Sequence, residues 1–351
     1  MTIFFNDDFP LHEPGKLIAA IPAVLGFVPE RSLVLVTIDG GEMGCVMRVD
    51  LSDDVFQSID RMAEVAAASC PEAAIAVIVD EDGAACRMCK DDHRELVDAL
   101  GDALSEEGIL LWGAHVVDRV EAGGRWHCAD GCGNNGTIED PLASPMAAAA
   151  VLDGRRLYTR RAELQEVIAV ADPVRTAALR GVITDVAASF DGDQRPPGDA
   201  RADVRHAMAA AANASEGRFP ADADLARLAC GLTDSRVRDT LYALAVGRDA
   251  GSAESLWALL ARTLPEPWRL EALVLLAFSA YARGDGPLAG VSLDAALQCD
   301  AEHRMAGMLD QALQTGMRPE QIRELALTGY RMAKQLGVDM PPRQGFGRRA
   351  G

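Results

Sequence analysis

The sequence predicts an α/β N-terminal domain with a mixed sheet, followed by an all-α domain containing a tetratricopeptide-like helical hairpin. Three observations predict it. Apolar, β-branched runs of strand length alternate with segments of helical spacing as far as residue 128. Strand-like patterning nearly stops after a join at 131–145 that is rich in Gly, Asn and Pro. Beyond it, helix starts at Trp268 and Glu302 lie 34 residues apart, one tetratricopeptide period. The bounds are 1–143 for the sheet domain, 144–337 for the helical domain and 338–351 for a flexible tail.

Residues 17–25 form a short apolar helix whose regularity is limited by Pro22. Ser32 to Ile38 is an almost unbroken apolar run, suited to a strand covered on both faces. Asp39, Gly40 and Gly41 tolerate the positive φ of a tight turn, so Gly44 to Leu51 returns as the second strand of a hairpin. Ser52 is placed to cap the next helix, on which Val55, Ile59, Met62, Ala63 and Ala66 recur at helical spacing. After a break at Cys70 and Pro71 come a strand from Ala74 to Val79, a helix from Asp91 to Leu104 and a strand from Ile109 to Val117. Gly123 and Gly124 turn the chain into a last strand, Arg125 to Cys128.

Ser144 and Pro145 then supply the N-cap and first turn of an alanine-rich helix at 146–152. Helices are expected at 160–170, 173–189, 199–214, 221–230 and 234–246, with a surface loop from Asp191 to Gly198 that lacks the spacing of a calcium loop. Ser252 caps a helix bearing Leu256, Leu260 and Leu264, broken by Pro265 and Pro267. The hairpin follows, Leu270 to Arg283 and Leu288 to Gln298 around Gly284–Gly286. Its small residues Ala277, Ala280, Ala289 and Ala296 allow close approach, and Leu293 fills the space between the helices. Glu302 to Thr315 and Pro319 to Leu336 complete the series.

With 53 acidic against 34 basic residues, the chain carries a formal charge of −19, a field that disfavours nucleic-acid phosphates and anionic lipid as partners. Arg155, Arg156, Arg160 and Arg161 are the nearest approach to a basic site and read as a solvated helix face. Met1 to Phe5 lead directly to Asp7 and Asp8, unlike a secretory leader, and the apolar run from Leu270 to Ala282 is too short to span a bilayer. A cytoplasmic location and no membrane association are expected.

No glycine-rich phosphate loop follows any strand and no nucleophile elbow is present, so no cofactor is expected and no reaction is named by a motif. Polar residues at strand ends are the places to look, among them Asp80, Glu81 and Asp82 leaving the third strand, which read most simply as a turn. Glu30, Asp50 and Asp239 have the chemistry of acid and base catalysis; Ser32, Arg48 and Arg238 could bind an anionic ligand. A structural ion pair of Arg48 with Glu30 or Asp50 is the plainer alternative. Eight cysteines do not form a secreted disulfide framework, but Cys86 with Cys89 and Cys128 with Cys132 could supply four thiolates to zinc. A solvent-exposed strand or turn position is the plainer reading of the first pair, and a reversible disulfide, disfavoured by a reducing cytoplasm, is the alternative for the second. His115 and His127 have no partner at helix-ligand spacing and read as structural.

The stretch Pro22-Ala-Val-Leu-Gly-Phe-Val-Pro-Glu-Arg-Ser-Leu-Val34 resembles the opening motif of the actinobacterial domain of unknown function family numbered 4192, and Arg48-Val49-Asp50-Leu51 its next motif. Cys128, Cys132, Gly136-Thr137 and the segment Ala147 to Arg156 resemble its cysteine-containing junction, with Gly133 where a second adjacent cysteine is common. Arg238-Asp239 and Ala277 to Leu309, with Gly284-Asp285-Gly286 and Asp300, resemble its C-terminal half. The resemblance implies a bacterial cytoplasmic protein and carries over no catalytic residue, substrate or cofactor. The function expected from all of this is binding: an adaptor that docks a protein partner on its helices, with a small molecule possible on the sheet domain. The alternatives are a hydrolase or transferase acting on a small polar or phosphorylated metabolite, and a structural homo-oligomer.

Overall fold

The structure, a computed structural model, describes residues 13–86, 88–152, 157–188 and 197–344. The opening residues Met1 to Phe5, Arg155 and Arg156 of the basic segment, 191–196 of the expected loop and 345–351 of the tail lie outside the described residues. The chain divides into two compact units, residues 1–164 with 314–316, and residues 165–313 with 317–351.

In the first unit, α1 (Pro14–Leu25) opens with proline, where the missing N–H costs nothing, and ends on Gly26 at φ 75°. β1 (Ser32–Asp39) and β2 (Glu42–Asp50) form the expected hairpin, with Gly40 at φ 58° and Gly41 at φ 79°. A 3₁₀ turn at Val55–Ser58 leads into α2 (Ile59–Ala67). Here the expectation fails at Ser52, which bonds Val55 through its carbonyl while the helix begins further on, without a side-chain cap.

β3 (Ala73–Val79) is buried along its whole length. α3 (Cys89–Glu106) then crosses over to β4 (Leu110–Val117), which pairs parallel to β3. β5 (Arg125–Cys128) and β6 (Asn135–Thr137) complete a mixed sheet in the order β2-β1-β3-β4-β5-β6. β6 falls in what the sequence presents as a loop. Three residues give no periodicity, and what admits the strand is Gly136, where a Cβ would stand 3.0 Å from the indole nitrogen of Trp126.

One face of the sheet, Leu33, Leu35, Ala74, Ala76, Ile78 and Val116, packs with α2 and α3 around Ile59, Met62, Leu96, Leu100 and Leu104. Alternation sends Val34, Val36, Val77, Val79 and Val117 to the other face, which the start of α1 approaches: a Cβ on Gly15 would lie 3.2 Å from the Trp126 indole. After a 3₁₀ turn at Pro141–Ala143, α4 (Pro145–Leu152) packs on α1. The change of element type thus comes at the expected join, while by packing α4 belongs with the sheet.

The second unit is helical. α5 (Arg161–Glu166) leads into it, shorter than expected because the chain turns back at Ile168. α6 (Pro173–Ala187), α7 (Pro197–Ser215) and α8 (Asp222–Leu232) follow, with the Asp172 carboxylate capping α6 at 3.0 Å. The helix expected over 234–246 is α9 (Ser235–Leu241) continued as a 3₁₀ segment, Tyr242–Val246. α10 (Ala250–Thr263) precedes the closely packed pair α11 (Arg269–Arg283) and α12 (Gly286–Cys299), then α13 (Arg304–Gln314) and α14 (Pro319–Leu336). The helix tightens at Tyr242 where α14 crosses it; a Cβ on Gly329 would stand 2.8 Å from Thr240 O and Ala243 N. Residues 338–344, expected to begin a flexible tail, are tied down instead. Tyr330 Oη donates to Pro341 O at 2.9 Å, Arg248 N to Pro342 O at 2.9 Å and Gln344 N to Val246 O at 2.9 Å.

Candidate functional site

Four of the six polar candidates meet at one end of β1 and β2. Arg48 Nε donates to Ser32 Oγ at 2.7 Å, and its terminal nitrogen reaches Asp50 Oδ1 at 2.5 Å and Glu30 O at 3.3 Å. Ser32 is fully buried and donates to Glu30 O at 2.6 Å. Arg31 between them sits at φ 41°, a left-handed conformation uncommon for a residue with a Cβ, and its carbonyl accepts from Leu51 N at 2.7 Å. Arg48 has its partners within the protein, and Glu30 takes part through its backbone. This arrangement clasps the start of β1 to the end of β2.

Arg238 and Asp239 lie in the other unit. Arg238 pairs with Asp239 at 2.8 Å and with Glu271 Oε1 at 3.0 Å, which His303 Nε2 also approaches at 3.4 Å. Burial pulls Arg238 down, but Glu271 and Asp239 more than offset it and hold the guanidinium above its ordinary value. Tyr242 Oη and Glu271 Oε2 are buried beside it without a hydrogen-bond partner.

The four candidate thiols do not form one group. Among the described residues, the ligand atoms that gather are those of Cys128, Asp130 and Cys132, all within 4.8 Å of one another. Cys86 and Cys89 form a separate pair in the β3–α3 connection. That connection is built by Asp80, directly after β3. Its Oδ1 accepts from Gly83 N at 3.0 Å, its carbonyl accepts from Ala84 N at 3.0 Å, and Gly83 O in turn accepts from Cys86 N at 2.9 Å. Asp80 Oδ2 meets His93 Nε2 at 3.0 Å. His93 is 5% exposed, and its Nδ1 has no hydrogen-bond partner.

Cys89 is the first residue of α3, and His93 lies one turn further on the same face. The Cys89 thiol donates to Cys86 sulfur, and the backbone N–H groups of Cys89 and Met88 do the same; together they hold the Cys86 thiol below its ordinary value. Sharing that bond, with burial and the charges of Cys86, Asp80 and Asp92 adding to it, pushes Cys89 up to about 11. Met88, between the two, is 82% exposed. The arrangement provides a nucleophilic sulfur at a helix N-terminus with a second sulfur in hydrogen-bond reach.

On the opposite face of the sheet, register places His115 beside Cys128, with Nδ1 to Sγ at 3.7 Å. The His115 ring packs edge-on against Trp126 at 5.3 Å, and burial pushes it down to about 4. Asp130 Oδ1 accepts from Cys132 N at 2.9 Å. Burial first, then the Cys132 thiol, push Cys128 up to about 12. His127 points to the other side, where burial first and then the charges of Lys90 and His93 hold it below its ordinary value.

His93 and Asp130 are absent from the sequence-based candidates, Asp80 reads there as part of an acidic turn, and the Cys86–Cys89 pair reads as a turn or half of a zinc set rather than as a dithiol. The signal for the dithiol is in the sequence: Cys-x-x-Cys between a strand and the helix of a parallel crossover.

Fold and site together define a two-unit protein, in which a mixed-sheet α/β unit carries a cysteine pair at the head of its crossover helix and a largely helical unit follows. The chain belongs to the family described as Domain of unknown function (DUF4192), whose model matches residues 14–320 and which is found in actinobacteria. No curated protein and no solved structure matches it. Among the described residues, no helix is long and apolar enough to cross a membrane.

Proposed function

We propose that the protein exchanges thiols for disulfides with a protein partner, using Cys86 as the attacking sulfur and Cys89 as the resolving one. The observation that carries this reading is the position of Cys86-x-x-Cys89 in the β3–α3–β4 crossover, with the Asp80–His93 pair one helical turn behind Cys89. The Cys86 thiolate attacks one sulfur of a partner disulfide, forming a mixed disulfide and releasing the partner's other sulfur as a thiolate, which takes a proton from solvent. Cys89, which is not fully buried, then loses its proton to solvent. Its sulfur attacks Cys86 sulfur, closing the Cys86–Cys89 disulfide and releasing the second partner thiol. Two electrons pass to the partner, and the protein leaves oxidised. Exposed Met88 gives the partner chain an apolar foothold beside the dithiol.

The expected protein partner is retained here as the disulfide substrate, and the expected cytoplasmic setting would keep the pair reduced. In the helical unit, buried Ala277, Ala280, Ala289, Leu293 and Ala296 support a tetratricopeptide-like reading of the α11–α12 pair, and we assign it the role of completing that unit's core.

The test uses full-length protein carrying Cys128→Ser and Cys132→Ser, challenged with oxidised glutathione. Cys89→Ser should accumulate a glutathione adduct on Cys86, Cys86→Ser should not, and the parent should lose two hydrogens with Cys86 linked to Cys89 by peptide mapping. An equal adduct on either single variant, or none on Cys89→Ser, would refute the assignment.

A further inference from the structure

We propose that Cys128, Asp130 and Cys132, with His115 as fourth ligand, form a binding site for one zinc-like divalent cation, independent of the dithiol at Cys86. The spacing Cys-x-Asp-x-Cys puts three ligand side chains on one short loop, and their ligand atoms converge within 4.8 Å. The loop is held in that shape: Cys128 N donates to Asn134 O at 3.0 Å, Ala129 N to Ala114 O at 2.9 Å, and Asp130 Oδ1 receives Cys132 N at 2.9 Å.

His115 makes the fourth ligand through strand pairing. It stands opposite Cys128 in the β4–β5 register, 8% exposed, with its ring fixed by Trp126. Its Nδ1 is 3.7 Å from Cys128 sulfur. A tetrahedral zinc with ordinary Zn–N and Zn–S distances sets its nitrogen and sulfur ligands about 3.6 Å apart. That edge of the coordination polyhedron therefore exists before any metal binds.

Two sulfurs, an imidazole and one carboxylate suit a borderline cation such as zinc better than magnesium or calcium, which take all-oxygen shells. Bound there, the cation would tie the β5–β6 loop to β4. It would also compete with a Cys128–Cys132 disulfide, since the same two sulfurs cannot serve both.

The probe is Co²⁺ titrated into the reduced full-length protein, read by sulfur-to-cobalt charge-transfer and d–d absorption and then by displacement with Zn²⁺. One equivalent with tetrahedral bands is expected, unchanged when Cys86 and Cys89 are both serine. Cys132→Ser, at an exposed position where folding is not at stake, should weaken binding more than about 100-fold, beyond what outer-shell changes cost. Asp130→Asn should shift the d–d bands, and circular dichroism would report the fold of each variant. The proposal is overturned if thiolate bands are absent, if they survive Cys132→Ser unchanged, or if they vanish only with Cys86 and Cys89.

Discussion

Gly83→Ala tests whether the turn that carries Cys86 is built around Asp80. A Cβ at residue 83 would stand 1.9 Å from Asp80 Oδ2 and 2.7 Å from its Cγ, so the carboxylate must swing away. Doing so breaks the 3.0 Å bonds to Gly83 N and His93 Nε2, and leaves His93 buried with both ring nitrogens unpartnered. Losing a hydrogen bond to a charged group costs about 1.5–3 kcal/mol, and a newly orphaned buried ring nitrogen about 1–3 more. Alanine in place of glycine restores about 0.5–1 kcal/mol by restricting the unfolded chain. The net expectation is a loss of about 1.5–5.5 kcal/mol.

The assay is native-state hydrogen exchange of the β3 amides in rising urea, because β3 is buried along its length and reports the opening of its own unit. The control is Asp80→Ala, which removes all three atoms that the new Cβ would meet. On that background Gly83→Ala should be neutral or slightly stabilising. If Gly83→Ala is harmless in the parent, or costs the same with and without Asp80, the reasoning fails.

Three further outcomes follow from the same geometry. A lowered thiol value means that the thiolate persists to lower pH, so alkylation of Cys86 should rise through a midpoint below 9 and that of Cys89 only near 11; Cys89→Ala should return the Cys86 midpoint toward 9, read by peptide mass spectrometry across a pH series. Arg238→Ala removes the ion-pair partner of Glu271, whose Oε2 is already unpartnered, and should destabilise the helical unit by about 3 kcal/mol in urea denaturation. Gly329→Ala drives a methyl into Thr240 O and Ala243 N at 2.8 Å, backbone atoms that cannot rotate away, and should cost about 1–3 kcal/mol, measured the same way; an unchanged midpoint would mean that α14 does not pack there.

Sequence alone determined the elements and their order where the signal is local. The unbroken apolar runs of β1 and β3, the Asp39-Gly40-Gly41 turn and the proline starts of α4 and α14 all form as read, because burial period, positive φ and a missing N–H act over a few residues. The family was legible too, in the motif running into β1. Where the signal was not local, the reading fell short. β6 depends on Gly136 fitting under Trp126, and the 3₁₀ stretch at Tyr242–Val246 depends on a helix nearly ninety residues later in the chain.

The same division explains the site. The residue types for thiol chemistry and their two pairs, Cys86 with Cys89 and Cys128 with Cys132, were plain in the sequence, but not whether the pairs join in one set. Only tertiary structure decided that Arg48 clasps Ser32 and Asp50 while Arg238 is taken up by Glu271. It also parted the cysteines. Cys86 and Cys89 meet each other because a helix starts between them and Asp80 shapes the turn before it. Cys128 meets His115 because antiparallel register, a property of two strands and not of either alone, sets residues thirteen apart side by side.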